Sequence, residues 1–131
     1  MITKDINVER RRPVWEAISD LWRDTELQDY EIEHIARILA QSGYTKDELH
    51  GIYAFEVAPV VWRNLMTAVP PVWAGFKADW LVEEILKAIE RQRRNIVYRC
   101  YVRSSIGVRM RTFAVKGDWE RVLKAYEIKT V

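Results

Sequence analysis

The sequence predicts a mainly α fold: a compact bundle of five to six helices in a single domain over residues 1–131, with a small β-hairpin as one reading of about 96–115. Three observations carry this. Apolar residues recur at three- and four-residue spacing through most of the chain. Residues that start and stop helices punctuate those stretches. The 131 residues, 49% hydrophobic and 31% charged, have the composition of one ordinary globular domain. A chain of this size buries about two thirds of its unfolded surface, so it folds without a disulfide or a metal.

Residues 1–11 are polar and start loosely. Pro13 suits the first turn of a helix, and Val14, Ile18, Leu21 and Trp22 follow as its buried stripe. A second helix starts near Asp29, read as its N-cap, with Ile32, Ile35, Ala36 and Leu39 inward and Gly43 as a left-handed terminator. The third start is the clearest. Thr45 and Glu48 stand at capping-box spacing, with Tyr44 placed to staple onto Leu49. Pro59 disfavours a helical Ala58 and breaks or kinks that helix. A short fourth helix runs from Pro59 to about Ala68, and Val69–Gly75 is a loop. A fifth runs from about Lys77 to Arg94, with Leu81, Ile85 and Ile89 inward. Ile96–Arg103 and Ile106–Arg111 read either as two strands joined near Ser104–Ser105 or as continued helix. Asp118 caps a last helix carrying Trp119, Val122, Leu123 and Tyr126 on one face. The expected core is Trp15, Ile18, Leu21, Trp22, Ile35, Leu39, Leu49, Ile52, Trp62, Leu65, Leu81, Ile85, Ile89, Trp119 and Leu123.

Charge is sorted along the chain. Val14–Ala58 holds ten acids against three bases, and Arg91–Lys116 holds eight bases and no acid, under a net charge of +2. Such sorting concerns partners and association rates more than fold. The acids Asp20, Asp24, Glu26, Asp29, Glu31 and Glu33 cluster across the end of the first helix and the start of the second. With Tyr30 and Tyr44 as aromatic anchors, they form a candidate face for a basic partner protein. Arg91, Arg93, Arg94, Arg99, Arg103, Arg109 and Arg111 form an alternative, phosphate-binding face, with Tyr98, Tyr101 and Phe113 available for stacking. The plainer reading is that the two blocks neutralise each other within the fold. Arg10, Arg11 and Arg12 sit where a helix dipole disfavours cations, so acids or a partner should neutralise them.

Catalytic patterns are absent from the sequence. There is no phosphate-binding glycine loop, no zinc-type Cys/His set and no nucleophile elbow. Glu31 and His34 have the i, i+3 spacing of a di-iron bundle, without the second copy such a site needs. His50 reads as a residue at the core edge. Cys100, the one cysteine, has Arg99 and Arg103 beside it but no base that can be placed within reach. No cofactor and no metal is expected, and one cysteine suits a reducing, cytoplasmic setting. The longest apolar runs are far short of the roughly 20 residues that cross a bilayer.

Several stretches carry a family resemblance: Arg12–Trp22, Asp24–Leu27, Ile35–Leu39, Ser42–Tyr44, Glu56–Val60, Asn64–Leu65 and Trp73–Phe76. Together they resemble a family of small bacterial proteins of unknown function, mostly from proteobacteria, over about Arg12 to Leu81. The resemblance implies a small bacterial cytosolic protein and brings no catalytic residue with it. Many bacterial domains of this size without catalytic motifs are immunity partners of toxins, an argument by analogy. The leading expectation is therefore an immunity-type binding protein that occludes a toxin, with a nuclease as one candidate, through charge steering. The alternative is a nucleic-acid-associated protein using residues 91–116. An enzyme with an unrecognised site and a self-assembling protein complete the field.

Overall fold

The computed structural model describes residues 7–22, 26–62 and 78–130. Helix α1 (Val8–Ser19) runs into a 3₁₀ turn (Asp20–Trp22), and α2 spans Asp29–Ser42. Helix α3 (Lys46–Gly51), a π-helical stretch (Ile52–Val57) and α4 (Ala58–Val61) follow one another without a break. Then come α5 (Ala78–Arg94), α6 (Ile96–Arg103), α7 (Ser105–Thr112), a 3₁₀ turn (Phe113–Val115) and α8 (Lys116–Thr130). No strand occurs among the described residues, so the fold is a mainly α bundle. No described helix is long and apolar enough to cross a membrane. The rest of the predicted fourth helix, the loop Val69–Gly75, Leu65 and Asp24 lie outside the described residues.

The hairpin reading of 96–115 is corrected to two short helices. Asn95 Oδ1 accepts from Tyr98 N–H at 3.0 Å, and Ser104 Oγ accepts from Gly107 N–H at 3.0 Å. Both caps stand in extended backbone, so each starts a new helix. In α6 only Val102 is buried, a pattern no half-buried alternating strand would give. Local capping and tertiary packing override the β propensity of this stretch.

Other boundaries shift for similar reasons. Asn7 Oδ1 accepts from Arg10 N–H at 3.1 Å and starts α1 early, leaving Pro13 inside the helix rather than in its first turn. The cap of α2 is Gln28, not Asp29, so the third residue onward is Glu31, whose carboxylate accepts from Gln28 N–H at 3.0 Å. Asp118 lies within the first turn of α8, which already starts at Lys116. Gly43 takes φ 79°, the left-handed terminator expected of it. The Thr45 box forms in full. Thr45 Oγ1 accepts from Glu48 N–H at 3.2 Å, and the Glu48 carboxylate accepts from Thr45 N–H at 2.8 Å. Tyr44 and Leu49 are both buried in the main core.

Ala58 is helical (φ −54°, ψ −44°) despite preceding Pro59. The chain accommodates the proline by loosening ahead of it: Ala58 N–H donates to Tyr53 C=O, five residues back. Pro59 has no N–H for Phe55 C=O, four residues back. That carbonyl accepts instead from Gln92 Nε2 of α5 at 2.9 Å, and Gln92 is buried.

Twelve of the expected core residues that are described, from Trp15 to Trp119, are buried, while Trp62 and Leu123 pack partly exposed at its edge. Val14, Tyr53, Val57, Val61, Val115, Val122 and Tyr126 join them. Tyr53 stacks on Trp119 with centroids 4.1 Å apart and rings 4° from parallel, and it meets Trp22 at 5.6 Å. Burial pushes the Tyr53 phenol well above its ordinary pKa. Helices α2 and α8 form the most extensively packed pair.

Two expectations follow. Gln92→Leu keeps the side chain's bulk but strands the Phe55 carbonyl, which should cost about 1–3 kcal/mol and lower Tm by several degrees in a thermal melt. An unchanged Tm would refute the role given to Gln92. The backbone bond from Thr45 holds the Glu48 carboxyl below its ordinary range. Its stabilisation is thus present above the unfolded carboxylate pKa and lost as pH falls through the lower folded value. Glu48→Gln should therefore shrink the loss of Tm between about pH 5 and pH 3, read from melts across that range.

Candidate functional site

The three consecutive arginines of α1 point at three different elements. Arg10 Nε donates to Ser42 C=O at 2.9 Å, at the carbonyl end of α2, and its guanidinium lies 3.9 Å from the Tyr44 ring centroid. Arg11 pairs with Glu56 of the π-helical stretch and donates to Tyr44 Oη at 3.2 Å. Arg12 reaches Glu16 at 3.0 Å and Asp79 of α5 at 2.8 Å. Burial works against the Arg11 cation, but Glu56 and Tyr44 outweigh it and raise its pKa. Trp15 Nε1 also donates to Glu56, at 2.8 Å. Arg11 and Arg12 are thus paired with acids inside the molecule, and Arg10 is held by a helix-end carbonyl and a ring.

The acidic face is only partly open. Asp29 pairs with Arg121 at 2.6 Å and Glu33 with Lys129 at 3.2 Å, both on α8. Glu31 is engaged in capping α2. Asp20 is half-buried, with an electrostatic or bonded neighbour of its own. Glu26 is exposed, and Tyr30 stands out as an exposed aromatic. Tyr44, read as an exposed anchor, is instead buried, with its carbonyl accepting from Tyr126 Oη at 2.8 Å. The bases that meet Asp29 and Glu33 come from α8, not from residues 91–116. His34 is exposed and shares a shallow cleft of about 260 Å³ with Glu16 and Asp20. His50 is exposed at the core edge, 5.9 Å from the Tyr53 ring. Cys100 is exposed. Among the described residues no group of three or more His, Cys, Asp or Glu is placed to hold a metal ion.

The basic segment divides by helix. Arg91 lies over the Tyr98 ring at 4.1 Å, Arg94 approaches Glu90 at 4.0 Å, and Arg103 lies over the Phe55 ring at 4.6 Å. Arg93, Arg99 and Arg103 line a cleft of about 500 Å³ against Phe55 and Glu56. Arg109 is exposed. Arg111 does not belong to an outward face. It is 2% exposed, and its Nη2 donates to Val102 C=O. Its backbone carbonyl in turn accepts from Trp22 Nε1 at 3.2 Å. Burial lowers the Arg111 pKa below that of an ordinary arginine.

Sequence reasoning named Tyr101 and Phe113 on this surface but missed Val97, Ile106 and Met110. Val97 (76% exposed) and Tyr101 stand four apart on α6; Ile106 (80%) and Met110 stand four apart on α7, with Phe113 (83%) three further on. Those spacings set each group on one helical stripe. In sequence such a stripe is indistinguishable from a buried one, and read as strands it disappears altogether.

The family model described as a domain of unknown function (DUF7079) matches residues 9–125, and the chain belongs to that family. No curated protein matches the chain, and no solved structure does. The match takes in the Arg11, Trp15 and Glu56 cluster and all of α6 and α7.

Removing Glu56 leaves Arg11 and Trp15 Nε1 without their shared acceptor. Glu56→Ala should cost about 2–4 kcal/mol in denaturant unfolding. Glu56→Gln should cost less, since an amide oxygen still accepts from the indole. Equal losses for the two would show that charge alone matters there.

Proposed function

We propose that this member of the family is a binding protein of the immunity type, which holds a partner protein and blocks its working surface, with α6 and α7 as the docking face. The observation that carries this is the exposure of Val97, Tyr101, Ile106, Met110 and Phe113 among arginines, in a stretch without an acid. Contiguous exposed apolar groups mark interaction sites. Met, aromatics and arginine are the residue types enriched at protein interfaces. The charge of the face calls for a partner that is acidic there, which reverses the sign expected from the acid cluster. An exposed, unpaired cysteine supports a reducing cytoplasm as the setting.

The nucleic-acid reading keeps one supporting observation, the Arg91–Tyr98 stack on a segment that also exposes Phe113. Interfaces with nucleic acid are more polar than protein–protein interfaces, and the aliphatic Val97 and Ile106 offer a phosphate neither charge nor hydrogen bond.

The test uses the full chain and a partner isolated from its native cytosol, rebound in purified form. Ile106→Ser with Met110→Ser and Phe113→Ser should abolish that binding while leaving Tm within a few degrees. Arg99→Glu with Arg109→Glu should slow association and flatten its salt dependence. Wild-type affinity in both variants would sink the docking face. Salt-sensitive binding to labelled RNA or DNA, lost in the arginine variant alone, would favour the second reading. A dimer that the serine variant disperses would make the partner another copy.

A further inference from the structure

We infer that the cleft walled by α4, α5, α6 and α7 binds a small anion carrying a planar ring, with the Arg111 guanidinium as its charge partner. The cleft holds about 320 Å³, at the lower end of the range for small-molecule sites. Its walls include the side chains of Trp62, Trp80, Tyr98 and Tyr101, with Lys87 and Arg91 beside them. Glu84 is the acid on its lining, and Lys87 holds that carboxylate at 3.2 Å.

Arg111 is the feature that needs explaining. Its side chain is buried, its Nη2 is bonded to Val102 C=O, and its Nε and Nη1 have no hydrogen-bond partner. Among the described residues no carboxylate lies within ion-pair distance of it. A guanidinium keeps its proton even when burial lowers its pKa. The fold therefore maintains an interior cation with two nitrogens, Nε and Nη1, whose N–H groups are idle, a costly arrangement unless something supplies the missing acceptor. Tethering α7 to Val102 needs only one of the five donors. An approaching carboxylate or phosphate would take the planar fork that arginine presents, and the indole and phenol rings would stack on an attached ring system. The Tyr101 ring, 5.2 Å from the guanidinium and half exposed, is the side chain that has to rotate for the anion to reach it.

The experiment is isothermal titration of the full-length protein with adenosine monophosphate, with indole-3-acetate and with inorganic phosphate alone. Saturable one-site binding of one ring-bearing probe, at least tenfold tighter than phosphate, is expected. The probe that binds tells a phosphate head from a carboxylate head. Arg111→Lys, which keeps a donor for Val102 C=O but loses the planar fork, should weaken that binding at least tenfold with the ligand-free Tm within a few degrees of wild type. Trp80→Ala, at a half-exposed position, should weaken it without touching Arg111. The inference is overturned if neither ring-bearing probe saturates, or if both variants bind as the wild type does. It is overturned equally if Arg111→Lys loses binding only together with a fall in Tm like that of a core deletion while Trp80→Ala binds normally, since Arg111 would then be a structural strut alone.

Discussion

The bundle turns on one carboxylate. Glu56 accepts from both Arg11 and Trp15 of α1, and so fixes the π-helical stretch against the first helix. From there a polar line continues: Arg11 to the Tyr44 hydroxyl, and the Tyr44 carbonyl to the Tyr126 hydroxyl of α8. Each link is half-buried or buried, where an unpaired polar group is expensive. Successive helical residues turn by about 100°, so Arg10, Arg11 and Arg12 cannot share one partner. They reach α2, the π-helical stretch and α5 instead. Cations at a helix start oppose its dipole. Here that local penalty is offset by making the start of α1 the point to which three other elements are tied.

Pro59 shows how a local breaker is absorbed by the fold rather than obeyed. Read alone, it should end the helix one residue earlier. The wider turn over Ile52–Val57 and a glutamine from another helix take up the missing bond. Neither is visible locally, because Gln92 lies far along the chain and looks like any polar residue on an arginine-rich helix. The helix starts with strong chemistry were readable: the Thr45 box, Gly43 and the stripe Leu81, Ile85, Ile89 all stand where periodicity puts them. Boundaries set by a weaker choice slipped by one or more residues. Gln28 replaced Asp29 as cap because this shift brought Glu31 into reach of the cap's N–H.

Charge sorting proved a poor guide to pairing. The natural inference was that ten acids and eight bases would meet each other. The fold instead sets α8 against α2, so Asp29 and Glu33 meet Arg121 and Lys129, which lie beyond the basic segment. These pairs are largely exposed and worth little individually, so the α2–α8 contact rests on its buried apolar residues. The consequence is that the basic segment keeps its charge. Arg94 approaches Glu90 and Arg111 is buried, while Arg91 lies on Tyr98, Arg103 on Phe55, and Arg93 and Arg99 face an open cleft.

That outcome gives the α6–α7 pair its particular character. Both helices are short, below the length at which an isolated helix is stable in water, so their stability has to come from caps and tertiary tethers. The tethers run through α7: Arg111 holds Val102 of α6 by its side chain and Trp22 by its backbone carbonyl. Gly107 has to be a glycine here, because a Cβ would stand 2.7 Å from Tyr101 C=O and 3.1 Å from Arg111 Nη1. With its inner side fixed by so few residues, the pair has no need to bury its remaining apolar side chains. Ile106, Met110 and Phe113 are left outside a core that is already complete without them. Apolar groups that do nothing for the fold's interior, on helices tethered at their inner edge, are what the proposed docking would use, since a face ordered beforehand lowers the entropic cost of association.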